Sequence, residues 1–182
     1  MKDTAIFFAD GFEEIEGLMV VDLLRRVGIN VEMVSISDSL TVTGSHNIAV
    51  SADKLMKDID FEAYELLVLP GGMPGTTRLG ECEELCSQLV KACEKWKKLA
   101  AICAAPTVFG KLGLLNGKRA CCYPDMEDGL LGAEVSFEDV TVDGNITTSR
   151  GLGTALPFAL ALIEQLHDKN TAEDLAKKVV YR

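Results

Sequence analysis

Leu99-Ala100-Ala101-Ile102-Cys103-Ala104-Ala105-Pro106-Thr107 carries an apolar run into small residues and a proline, after which the sequence turns helical in character. The stretch reads as strand, tight turn and helix. A thiol at such a turn lies at the N-terminus of the following helix, where unpaired amides and the helix dipole favour thiolate over thiol. Cys103 is therefore the leading candidate for a nucleophile or an oxidation-sensitive residue, and the remaining question is which residues serve its sulfur.

Outward from this segment, short apolar runs alternate with amphipathic stretches: 4–9, 14–27, 30–35, 66–69, 81–98, 99–102 and 107–114. Strands that are continuously apolar belong to a parallel sheet covered on both faces, so the alternation predicts a doubly wound α/β sandwich with a mostly parallel central sheet and helices on both sides. Residues 36–51 and 132–149 differ. They are Thr- and Val-rich, with turn signals at Thr43-Gly44-Ser45 and Asp143-Gly144-Asn145, and read as hairpins or added edge strands. Two helices follow, over 155–166 and 171–180.

The chain has 182 residues, 48% of them hydrophobic, which suits one domain over 1–182 with a core that needs no disulfide or structural metal. A net charge of −10 argues against nucleic acid or an anionic membrane as partner. The short apolar start lacks a signal-peptide pattern and no window reaches membrane-spanning length, so the expected location is cytoplasmic. Six cysteines (Cys82, Cys86, Cys93, Cys103, Cys121 and Cys122) are expected as reduced thiols. Cys82, Cys86 and Cys93 fall on one face of the 81–98 helix, but without a Cys-x-x-Cys pair or a nearby His they suit a half-buried face better than a zinc site. Cys121 and Cys122 would point to opposite faces of a strand.

Ligands of open α/β sheets bind at the carboxyl ends of strands. Residues 10–16 follow the first strand, Pro70-Gly71-Gly72 follows the 66–69 strand, Cys103 follows the next, and Cys121-Cys122-Tyr123 follows Ala120. Pro-Gly-Gly is ordinary turn material, yet amides without side chains at a strand end suit an oxyanion or carboxylate. Two of Glu13, Glu14 and Glu16 are expected to form a solvated first helical turn. Glu16 differs, since Ile15, Leu18, Met19, Val21 and Leu23 imply a covered helix, where desolvation would raise its pKa and keep a proton available to Cys103. Of the two histidines, His167 suits a helix C-cap and His46 lies in a hairpin turn; neither follows Cys103. No phosphate-binding loop and no Gly-x-Gly-x-x-Gly is present, so no nucleotide, cofactor or metal is implied.

Ala-Ile-Cys-Ala-Ala-Pro-Thr at 101–107, Leu-Pro-Gly-Gly at 69–72, Asp-Gly-Phe-Glu-Glu-Ile-Glu at 10–16 and Thr-Ser-Arg-Gly-Leu-Gly-Thr at 148–154 together resemble the ThiJ/PfpI family, in the branch of the Parkinson-disease-associated deglycase. The resemblance implies a flavodoxin-like sandwich, a homodimer, Cys103 as an oxidation-sensitive nucleophile and Glu16 as its protonated partner. It also implies an anion site at Gly71 and Gly72, and places Arg26, His46 and Arg150 near the pocket or the dimer interface. Where many members of the branch have histidine before a proline, this chain has Tyr123 before Pro124; where protease-type relatives have histidine after the cysteine, it has Ala104.

The expected function is therefore a cysteine-dependent, cofactor-free glyoxalase- or deglycase-like enzyme acting on small reactive aldehydes. In this reading Cys103 and Glu16 are catalytic, Gly71, Gly72 and Ala104 bind the oxyanion, and Tyr123, Arg26, His46 and Arg150 line the pocket. The alternative is a non-catalytic, redox-responsive dimer or chaperone-like stress protein. Peptide hydrolysis ranks below both for want of a base beside Cys103.

Overall fold

The computed structural model describes residues 3–181. In chain order the elements are β1 (Asp3–Phe8), α1 (Glu14–Arg26), β2 (Asn30–Ser35), β3 (Thr41–Thr43), β4 (Ala49–Ser51), β5 (Lys54–Leu55) and β6 (Tyr64–Leu69). There follow α2 (Gly75–Glu81), α3 (Glu83–Glu94), β7 (Lys98–Ile102), α4 (Pro106–Lys111), β8 (Arg119–Ala120), β9 (Glu134–Val135), β10 (Val140–Asp143), β11 (Ile146–Ser149), α5 (Ala155–Leu166) and α6 (Lys169–Lys178).

The main sheet runs β10-β11-β7-β6-β1-β2-β5 and is parallel except for the edge pair β10-β11. β1 shows why its stretch from Ala5 to Phe8 is apolar at every position. Ala5 and Phe7 pack into a core with Leu85 and Leu89 of α3 and Phe109 of α4, whereas Ile6 and Phe8 pack into a second core with α1, α5 and α6. Because successive side chains point to opposite faces, both cores need apolar residues and the period-2 alternation of a one-sided sheet disappears. The hairpins also form: β3 pairs with β4 and β10 with β11, both antiparallel.

Three expectations need correction. The 81–98 stretch is not one helix but breaks at Cys82, whose extended backbone (φ −77°, ψ 94°) ends α2 and starts α3. The last helix starts at Lys169, not at residue 171, because the Asp168 side chain accepts the Thr171 N–H at 2.8 Å as an N-cap. Cys121 and Cys122 lie beyond β8 rather than within a strand; both are buried, with Cys121 Sγ 3.5 Å from Thr148 Oγ1.

The chain reverses direction across the sheet between β1 and β6, which opens a crevice at their carboxyl ends. Glycines hold the two loops there together. The Gly75 amide donates to Gly11 O at 3.1 Å and the Glu13 amide to Gly71 O at 2.9 Å, while a β-carbon at Gly75 would stand 2.6 Å from Phe12 N. Phe12 packs edge-on against Phe8, with ring centroids 4.5 Å apart, and anchors the loop to the core. Replacing fully buried Phe8 by alanine removes that anchor and leaves a cavity; urea unfolding should report a loss of about 3–5 kcal/mol.

Candidate functional site

Cys103 ends β7 on a left-handed turn (φ +65°), a conformation that costs a non-glycine residue about 1–2 kcal/mol and is held by its surroundings. Its amide donates to Ser149 O at 3.0 Å on β11, and its carbonyl accepts the Tyr123 amide at 2.8 Å. The turn lifts the side chain out of the sheet toward α1. There it shares a hydrogen bond with the Glu16 carboxyl, and the amides of Gly72 and Ala104 donate to Sγ.

Glu16 is 1% exposed, and its Oε2 accepts the Gly71 amide at 3.0 Å. This redistributes the roles expected of the glycines. The Gly71 amide serves the carboxyl of Glu16, whereas Gly72 and Ala104 are the donors at the sulfur. Gly71 also contributes by lacking a side chain, since a β-carbon there would collide with Glu16 Oε2 and Cys103 Cβ.

Burial pushes the Glu16 carboxyl up to about 7, with the hydrogen bond to Cys103 acting against it and the charge of Glu13 adding to it. Burial also pushes the Cys103 thiol up to about 12, and the adjacent Glu16 charge adds to the rise. The ready thiolate expected from a helix N-terminus is therefore not what the site provides. The following helix, α4, has only six residues, and its weak dipole is outweighed by burial and a carboxylate neighbour. The pair gives up one proton near neutral pH and holds the other tightly, because each negative charge disfavours the second. A thiol and a buried carboxyl thus share one mobile proton.

Glu13 and Glu14 are not the solvated turn that the sequence suggested. Glu13 is the N-cap of α1, and its Oε2 accepts the Glu16 amide at 2.7 Å. Glu14 is 2% exposed and is embraced by the β3–β4 turn: Oε1 accepts the His46 amide at 2.8 Å, and Oε2 lies 2.9 Å from His46 Nδ1. Burial would raise the Glu14 carboxyl, but these bonds dominate and bring it down to about 2. Contact with Glu14 holds the His46 imidazole above its ordinary value. Donor atoms of Glu13, Glu14 and His46 lie within 4.8 Å of one another, the one such cluster among the described residues, and hydrogen bonds account for its approach. Only the spatial return of the hairpin reveals this cluster. Glu14 and His46 stand 32 residues apart and form no motif.

Tyr123 belongs to the site, and its ring lies against Gly151, beside Glu16. Arg150 continues β11 next to this corner, and its charge acts on Cys122. His46 sits on Glu14, two residues before Glu16 on α1. Arg26 does not join them: it closes α1 ten residues beyond Glu16, a rise of about 15 Å, and pairs with Asp22 at 2.6 Å. The pocket role expected for Arg26 is corrected accordingly. Among the described residues no helix is long and apolar enough to cross a membrane.

The model of the DJ-1/PfpI family matches residues 2–165. Protein DJ-1 homolog B of Arabidopsis thaliana is 38% identical over 183 residues, covering 100% of this chain and 42% of that protein. The chain thus spans about two fifths of that relative. The solved structure of Toxoplasma gondii DJ-1, oxidized, superposes with a TM-score of 0.96 at 36% identity, covering 100% of this chain and 99% of that one. A Caenorhabditis elegans relative named glutathione-independent glyoxalase DJR-1.2 is 29% identical over 91% of this chain and 88% of its own length.

The raised Glu16 carboxyl gives folding a pH dependence of definite sign. The folded chain holds this proton more tightly than the unfolded chain does, so stability is fully present below the ordinary value of 4.5 and is lost as pH rises to about 7. The loss should amount to about 3 kcal/mol, and Glu16→Gln should flatten that slope in denaturant titrations across the window.

Proposed function

The chain belongs to the DJ-1/PfpI family, and from that premise we propose that it is a cysteine-dependent, cofactor-free enzyme acting on small α-oxoaldehydes, with hydration to the 2-hydroxy acid as its reaction. The observation that carries this reading is the buried Glu16 carboxyl hydrogen-bonded to Cys103, with two main-chain amides on the same sulfur. The glyoxalase name of one relative supports it.

In this mechanism the Cys103 sulfur adds to the aldehyde carbon, and the carbonyl electron pair moves to oxygen. The shared proton passes to that oxygen through Glu16, giving a hemithioacetal. The Gly72 and Ala104 amides, which face the sulfur in the resting site, stabilise the developing oxyanion. Glu16, now a carboxylate, removes the proton from the former aldehyde carbon to leave an enediolate and returns it to the neighbouring keto carbon, while the hydroxyl proton on the former aldehyde oxygen passes to the former keto oxygen. The result is a thioester of the 2-hydroxy acid. Water then cleaves the carbon–sulfur bond, releasing the acid and restoring the thiol. Net consumption is one oxoaldehyde and one water. A carboxyl near 7 fits both halves of the cycle, as it donates and accepts the same proton at little cost.

Methylglyoxal should yield lactate without glutathione. Glu16→Gln should lower kcat by about 10²–10⁴-fold, and Cys103→Ser should reduce lactate to background. Turnover that survives both substitutions overturns the proposal.

A further inference from the structure

One side chain at the site has no part in this mechanism. Tyr123 is tied to the nucleophile through its main chain, since its amide donates to Cys103 O at 2.8 Å. A β-carbon at Gly151 would stand 3.3 Å from Tyr123 Cδ2 and 3.8 Å from Glu16 Oε1, so the ring, the bare backbone of Gly151 and the catalytic carboxyl share one corner. Folding nevertheless leaves Tyr123 50% exposed. Two further exposed apolar residues adjoin this corner in sequence: Met73 (55%) follows Gly72, and Leu152 (51%) follows Gly151.

An aromatic ring fixed at its backbone, supported on one side by glycine and uncovered on the other, offers apolar area that a substrate can cover. Stacking or edge contact between rings adds to that burial. We propose that Tyr123 is the specificity-determining wall of the Cys103 site and selects α-oxoaldehydes bearing a flat apolar group, the aryl glyoxals, over methylglyoxal. This rests on the oxoaldehyde reading above. The ring, rather than the hydroxyl, makes the selection, because the group to be recognised carries no hydrogen-bonding atoms. The contact acts on the part of the substrate remote from the reacting carbons and is worth about tenfold in relative kcat/KM.

The test compares phenylglyoxal with methylglyoxal for the wild type, Tyr123→Phe and Tyr123→Ala. The ratio of the two kcat/KM values should favour phenylglyoxal in the wild type, persist in Tyr123→Phe and fall about tenfold in Tyr123→Ala. A ratio unchanged in Tyr123→Ala overturns the proposal. A second measurement needs no turnover. The rates at which Cys103 is alkylated by 2-bromoacetophenone and by iodoacetamide are compared by mass spectrometry of the Cys103 peptide; in each reaction sulfur displaces halide and the thiol proton is released. If neither glyoxal is converted but the alkylation ratio falls in Tyr123→Ala, the wall stands and the enzymatic reading fails. If that ratio is also unchanged, both fail.

Discussion

The site depends on a close approach that only glycine permits. Glu16 on α1 and Cys103 after β7 come from opposite sides of the β6 loop, and Gly71 lies between them with no side chain to keep them apart. Its amide meets the Glu16 carboxylate and its carbonyl takes the Glu13 amide, so one residue positions both ends of the α1 entrance. Gly72 has φ +90°, a conformation open to glycine at little cost, and this turns its amide toward the sulfur. A methyl group at Gly71 would collide with Glu16 and Cys103 alike and force them apart.

From that approach the electrostatics follow. Burial raises both groups, and the Glu16 charge raises the thiol further, whereas the hydrogen bond from the thiol holds the carboxyl down. At the start of the same helical turn the opposite occurs. Glu14 is covered by the hairpin but lies nearer the surface than Glu16, and, surrounded by donors from that hairpin, it titrates far lower. Two glutamates separated by one residue thus hold different protonation states at neutral pH. The difference lies in depth and in partners: Glu16 is deeply buried beside a thiol, whereas Glu14 is held by a histidine and main-chain amides.

How far the sequence reveals this can be judged residue by residue. The alternating runs disclose the sheet and most helices because burial on both faces leaves a composition signal at each strand, as in Ala5-Ile6-Phe7-Phe8. The kink at Cys82 leaves none, since its residues suit a helix throughout. Cys103, Glu16 and Gly72 are legible from their place after strands. The distance of Arg26 is legible too, in ten residues of helix, but the capture of the Gly71 amide by Glu16 and the burial of Glu14 are not. Each depends on where a loop or helix end returns in space, and spacing along the chain carries no record of that.

The groups that grip the Cys103 sulfur, apart from Glu16, are main-chain amides. Such a grip asks for room rather than for a particular polar side chain: at position 72 only glycine fits, since a β-carbon there would stand 2.2 Å from Glu13 N, and at buried position 104 the residue must be small and cannot be proline, which has no N–H. The hold on the sulfur is therefore fixed by small, closely packed backbone, and freedom to vary is left to the exposed side chains at its edge, such as Tyr123, Met73 and Leu152.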